Sequence, residues 1–274
     1  EVQTYAVKNL KKGIEFLEQQ FGVKWDWDAF WKNAEMYNES SRCMIEKWDV
    51  NCTEHPQVCG AALALQREYE FMAAACMDKF MLKTDRRVTK MMLKGYEQDK
   101  AANAPQPKYR CLVWACPAHY YTNFTYWTQH CWGVTCVNDM EAMLSYQPIT
   151  IGDKEQALAD LVRCYEKMMM RSHTNGGYVN LLDECWKMCE KFHTNIVIMY
   201  DHVSCKNVGG LHGLFEDQAR ERGIHLIWIP HDVMDPRTVS RREMREAFSQ
   251  YMVTVLNEKP LDPTLLDYED TLSW

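Results

Sequence analysis

Beyond residue 108 the chain alternates short apolar runs with amphipathic patterns, and this alternation constrains its fold more than any other feature. Apolar runs occur at Tyr109–Cys116, Gly133–Val137, Asn195–Tyr200 and His225–Ile229. They are continuous rather than alternating and rich in β-branched residues, as expected of strands buried on both faces. Pro117 closes the first run and Pro230 the last. Between and after them the spacing predicts helices over Lys154–Arg171, Tyr178–Phe192, Leu211–Arg222 and Ser240–Leu256, and a helix opening in the aromatic stretch Ala118–Trp127. The start of the Ser240–Leu256 helix is spelled out, with Ser240 a ready N-cap and Glu243 completing a capping box. Strands alternating with helices predict a parallel, doubly wound α/β sheet.

The first hundred residues carry a different pattern. Val7, Leu10, Ile14 and Leu17 lie three or four apart, which makes residues 1–20 an amphipathic helix ended by Gly22. Asp26 or Asp28 can cap a second helix reaching about Trp48, with Phe30, Ala34 and Tyr37 on one face. A third helical region runs from about Ala61 to Tyr96, with a break expected near Lys83–Asp85. Asp99–Lys108, with Pro105 and Pro107, reads as a connector. The expected organisation is a helical packing region over residues 1–107 and the α/β domain over 108–274, ending in an acidic tail from 258. The chain opens at Glu1 inside a helical pattern, so a preceding segment is expected.

A formal charge of -7 and the lack of any lysine- or arginine-rich run argue against a nucleic-acid surface. No apolar stretch is long enough to span a bilayer and no signal-peptide pattern opens the chain, so a cytoplasmic location is expected. The twelve cysteines do not suggest a disulfide framework in a chain of this size and pattern. Their closest spacings are Cys111-x4-Cys116, Cys131-x4-Cys136 and Cys185-x3-Cys189, with no Cys-x-x-Cys. They match neither zinc ribbons nor local ferredoxin runs.

In open α/β sheets ligands bind outside the carboxyl ends of the strands. Three loops converge there: 116–121, 201–210 and 230–240. Together they carry Cys116, His119, Tyr120, His202, Ser204, Cys205, Lys206, His231, Asp232, Asp235 and Arg237. The loop after the third strand is the densest, with a thiol, an imidazole, a hydroxyl and an ammonium before Gly209-Gly210. Taken singly, Cys205 reads better as a small buried hydrophobe and His202 as a satisfied surface histidine; the crowding of all four groups in one loop favours a site. The residues leave four chemistries open. These are a Cys205 nucleophile with His202 or His231 as base, a zinc site, an anion cradle at Gly209-Gly210, and one thiolate of an iron–sulfur cluster.

The segment Asn195–Met252 resembles the carboxy-terminal part of the benzoyl-CoA reductase and 2-hydroxyacyl-CoA dehydratase family. The resemblance rests on His202-x-Ser204-Cys205-Lys206, Asp232-x-x-Asp235-x-Arg237 and Arg245-x-x-Phe248. Upstream, Phe21–Phe30 followed by Tyr37-Asn38-Glu39 is similar to the family's helical linker. The His-x-Ser-Cys-Lys form leans towards the benzoyl-CoA reductase branch. The dehydratase branch more often has an acidic residue and proline after the cysteine, where this chain has Lys206 and Asn207.

The resemblance implies Rossmann-like domains and a heterodimer of homologous subunits. It also implies a [4Fe-4S] cluster and an ATP-hydrolysing iron–sulfur activator, with ferredoxin as electron donor and an acyl-CoA substrate. Cys205 would be the cluster ligand from this domain, with the others supplied by an amino-terminal domain not visible here. The reductase activity would deliver single electrons to a CoA-activated aromatic ring. The dehydratase would use an electron to eliminate water, and a cluster-free structural subunit is a third reading. His202, Lys206 and His231 are the available donors to a reduced thioester. Tyr120, Trp127, Ser204 and Arg237 are candidate substrate contacts, although core packing explains the aromatic stretch at least as well. Asp232, Asp235 and Arg237 read equally as a cap with an ion pair or as orienting groups.

Overall fold

The computed structural model describes residues 2–59, 79–140, 147–167 and 177–267. Outside them fall the start of the third helical region, the end of the 154–171 helix with most of the 172–177 loop, and the end of the acidic tail.

Three long helices come first: α1 (Val2–Phe21), α2 (Trp27–Asn51) and α3 (Lys79–Ala101). Asp26 is the cap of α2, its carboxylate accepting from the Ala29 N–H at 2.9 Å. The break expected near Lys83–Asp85 does not occur, and α3 runs straight through it. Two side chains that disfavour helix interiors are tied in there. The Thr84 hydroxyl donates to the Phe80 carbonyl, and Asp85 is buried against α2, where Lys47 at 3.0 Å and the Ser40 hydroxyl satisfy it. A tertiary ion pair thus overrides local propensity.

The sheet follows, with β1 (Tyr109–Trp114), β2 (Val134–Asp139), β3 (Ile196–His202) and β4 (His225–His231) all parallel in the order β2-β1-β3-β4. The helices between and after them are α4 (Phe124–Trp132), α5 (Lys154–Lys167), α6 (Tyr178–Lys191), α7 (His212–Arg222) and α8 (Arg241–Thr254). From β1 the chain steps outward to β2, and from β3 it steps outward the other way to β4. Right-handed crossovers therefore put α4 and α7 on opposite faces. Ring contacts agree: Phe124 and Trp127 of α4 meet Phe248 of α8, whereas Trp186 of α6 meets Phe215 of α7. The central strands are buried on both sides, from Cys111 to Trp114 and from Ile196 to Tyr200.

Several boundaries differ from those read off the sequence. β1 ends at Trp114, because Ala115 turns to φ 64°. The aromatic stretch forms a 3-10 turn at His119–Tyr121 before α4 begins at Phe124. β4 continues through Pro230 to His231 instead of closing at Ile229. It is an edge strand, so the missing proline N–H need not face β3. The capping box of α8 forms as expected, Ser240 accepting from the Glu243 N–H and donating its own N–H to the Glu243 carboxylate.

The segment 147–167 leaves the sheet and packs on the amino-terminal helices. Ile149 and Ala157 share a small apolar cluster with Ala34, bordered by Phe30, Trp31 and Tyr37. Asn38 clamps residue 149 by both amide groups, at 2.8 Å each, and Lys11 pairs with Glu155.

Candidate functional site

The strand order reverses between β1 and β3, so the crevice at their carboxyl ends is the switch point where such sheets bind ligands. Ala115 and Cys116 leave β1 on one side, and the loop 203–210 leaves β3 on the other. Ala115 is the only described non-glycine residue with positive φ directly after a strand. A Cβ costs about 1 kcal/mol or more in that region. Such strain redirects the chain so that Cys116 sits half-buried at the crevice, its Sγ 3.8 Å from His119 Nε2.

Across the crevice, His202, Ser204 and Asp232 form a compact polar group. His202 Nδ1 lies 3.0 Å from the Ser204 hydroxyl and 3.1 Å from the Ser204 backbone N–H. On its far side Nε2 faces Asp232 Oδ2 at 3.8 Å. Asp232 is itself held by the N–H groups of Met234 and Asp235, both at 2.8 Å, and these hold its carboxyl below the usual range. The two loops are stitched together by Val203 N–H to the His231 carbonyl at 3.0 Å.

His231 lies under this group. It is 0 % exposed, with its ring 4.9 Å from Tyr200 and 5.4 Å from His202. Neither ring nitrogen reaches a partner at hydrogen-bonding geometry, although backbone groups of Cys116 and Asp201 lie near enough to favour the charged form. Burial dominates, with the adjacent His202 ring adding to it, and pulls its pKa down to about 4. At neutral pH it is an uncharged imidazole.

The remaining expected residues fall into two groups. Cys205 is half-exposed and precedes a single helical turn, Lys206–Gly209, on which Lys206 is solvent-facing. Tyr120 borders the crevice, its hydroxyl donating to the Val239 carbonyl at 2.6 Å while Arg241 holds its carbonyl. Arg237 forks onto Asp235 at the exposed rim and holds that carboxyl down at about 2. Trp127 stands apart from all of these. It is 2 % exposed, packed between Phe124 and Phe248, with its indole N–H on the Leu265 carbonyl. The strain at Ala115 has no sequence signal, since alanine carries none for left-handed backbone.

A cluster of the [4Fe-4S] type takes three or four thiolates. Among the described residues no group of three or more His, Cys, Asp or Glu is arranged to hold a metal ion. Cys205 is a single half-exposed thiol in the loop after β3. Among the described residues no helix is long and apolar enough to cross a membrane.

A search of the curated proteins finds no match. The family model described as 2-hydroxyglutaryl-CoA dehydratase, D-component, matches residues 1–252. That family also includes benzoyl-CoA reductase subunits. Its members are components of dehydratase and reductase enzymes, typically carry iron–sulfur clusters and form complexes with an activator. The match runs from the first helix through β4 and nearly to the end of α8, so the chain belongs to the 2-hydroxyglutaryl-CoA dehydratase D-component family.

Proposed function

We propose that this chain is part of a cytoplasmic iron–sulfur subunit that reduces a CoA-thioester-activated aromatic ring by low-potential single electrons. The observation that carries the reading is the convergence at the β3 and β4 carboxyl ends. A half-exposed thiol, Cys205, lies in one loop with His202, Ser204 and Lys206, above the buried neutral His231. Cys205 would be one ligand of a [4Fe-4S] cluster, the others coming from outside the described residues. When bound, that group supplies the electron. A homologous second subunit, an ATP-hydrolysing activator and ferredoxin complete the proposed assembly.

The work of this chain's own residues is to hold the thioester and stabilise charge on its carbonyl oxygen. Donors aimed at a developing negative charge act most strongly where water is excluded. His202 and Lys206 are donors at the mouth, and His231 is an uncharged donor beneath it. Tyr120 walls the crevice, and Ser204 and Arg237 lie along its rim. Trp127, packed in the core between Phe124 and Phe248, serves the fold and touches no ligand.

A second reading is favoured by the description of the matching family model. It makes the chain a 2-hydroxyacyl-CoA dehydratase component, in which the electron is recovered after water leaves. Ring reduction consumes electrons each turnover, and dehydration does not. The test is anaerobic purification of the native complex, with iron and acid-labile sulfide measured for wild type and Cys205→Ala. A loss of about one cluster's iron per subunit is expected. Electron consumption with aryl-CoA against 2-hydroxyacyl-CoA then separates the two reactions. A variant that keeps all its iron, or a wild type with none, sinks the ligand assignment and leaves a cluster-free structural subunit as the better account.

A further inference from the structure

The hydrogen bonds around His202 fix more than its position. A backbone N–H can only donate, so the 3.1 Å contact from the Ser204 N–H makes His202 Nδ1 an acceptor. A lone pair on Nδ1 leaves the proton of the neutral ring on Nε2. The Ser204 hydroxyl, 3.0 Å from the same Nδ1, then acts as a second donor to it. On the other side of the ring, the carboxylate Oδ2 of Asp232 faces Nε2 at 3.8 Å, the side on which an N–H is favoured. That carboxylate is not free to swing away, because its Oδ1 accepts two backbone N–H groups at 2.8 Å. The His202 backbone is pinned as well, its carbonyl accepting from the Cys205 N–H at 2.9 Å.

We propose that Ser204 and Asp232 are positioning residues that hold His202 in the Nε2–H tautomer, so that the crevice meets its ligand with an imidazole N–H donor. Two donors converge on Nδ1 and an acceptor faces Nε2, and all three come from the two loops that form the mouth. The consequence is chemical selectivity. Such a ring suits an acceptor oxygen, a carbonyl or carboxylate, that competes with Asp232 for the Nε2–H. It does not suit a metal ion at Nδ1, whose lone pair already accepts from Ser204. Only the identity of the acceptor, a thioester carbonyl, rests on the function proposed above. Ser204 thereby moves from the rim of a substrate pocket to a part in orienting its donor.

The test reads the tautomer directly. Protein labelled with nitrogen-15 in histidine reports protonated and unprotonated ring nitrogens by NMR, with His202→Gln assigning the signals. Wild type is expected to show the Nε2–H pattern. Ser204→Ala should move the tautomer ratio about fivefold towards Nδ1–H, the worth of one hydrogen bond. Ser204→Thr keeps the hydroxyl and should restore the wild-type ratio, and Ser204→Ala with Asp232→Ala should move it further than either alone. A wild-type ring protonated on Nδ1, or a ratio unchanged in the double variant, overturns the proposal. Iron content measured on the same samples separates this result from the cluster reading. Absent iron would sink the cluster assignment and leave the tautomer result standing.

Discussion

The two ends of the same parallel sheet use their polar groups in opposite ways. At the amino end they are committed to structure. Arg110, in β1, donates from Nε to the Phe192 carbonyl and from its two Nη atoms to the carbonyls of Thr53 and Asn51. It thereby ties the ends of α2 and α6 to the first strand. Asn195 completes the knot, its side chain accepting from the Arg110 N–H and donating to the Lys108 carbonyl. At the carboxyl end the groups are held in place yet kept available. His231 is buried with neither ring nitrogen at hydrogen-bonding geometry, Lys206 faces solvent, and Ala115 carries strain. A buried polar group without a partner costs stability, and His231 keeps both ring nitrogens in that state beneath the loops, where the amino end spends Arg110 and Asn195 on tying elements together.

This contrast can be broken experimentally. The largest effect is expected at the amino end. Arg110→Ala removes three charge-assisted bonds and leaves carbonyls buried, and should destabilise the fold by about 3–5 kcal/mol in denaturant titration. Arg110→Lys should recover little of it, since an ammonium cannot reproduce the fork. A loss under about 1 kcal/mol would mean that the knot holds nothing.

His231 should show the opposite. Its imidazole takes a proton near 6.5 in the unfolded chain but only near 4 in the fold. Between those values the unfolded state binds more protons. Its contribution is therefore complete above about pH 6.5 and is lost as pH falls towards 4, by about 3 kcal/mol. His231→Leu should flatten that acid limb and be neutral or stabilising by about 1 kcal/mol at neutral pH. An acid limb unchanged in the variant would remove His231 as its source.

Two smaller effects sharpen the comparison. Ser240→Ala breaks the capping box that ends the site's third loop, and about 1 kcal/mol should be lost in thermal melts. Ala115→Gly should relieve the left-handed strain and gain about 0.5 kcal/mol net of the glycine's greater unfolded entropy. A destabilised Ala115→Gly would show that the conformation carries no stored cost.

Much of the fold was legible because it depends on local pattern. The run Ile196–Tyr200 is buried on both faces as its continuity implied, and Ser240 with Glu243 caps α8 as spelled. What was not legible depends on partners distant in sequence. Asp85 reads as a breaker until Lys47 is seen beside it. Pro230 reads as a terminator until β4 is known to be an edge strand. Trp127 reads as either wall or core until α8 returns Phe248 against it. For the site, the convergence of the loops after β1, β3 and β4 followed from topology, whereas the pairing of His202 with Asp232 required coordinates.

The packing of 147–167 on the first helix has a consequence for synthesis. Lys11 meets Glu155 across 144 residues, and Gln3 meets Glu166 across 163. During translation at ~5–20 residues per second, α1 waits on the order of ten seconds for the surface that covers it. The cover is partial even then, since no residue of α1 is buried and Phe16 and Leu17 stay exposed. α1 is therefore a late addition to the fold, and neither apolar core waits for it, because none of its residues belongs to them.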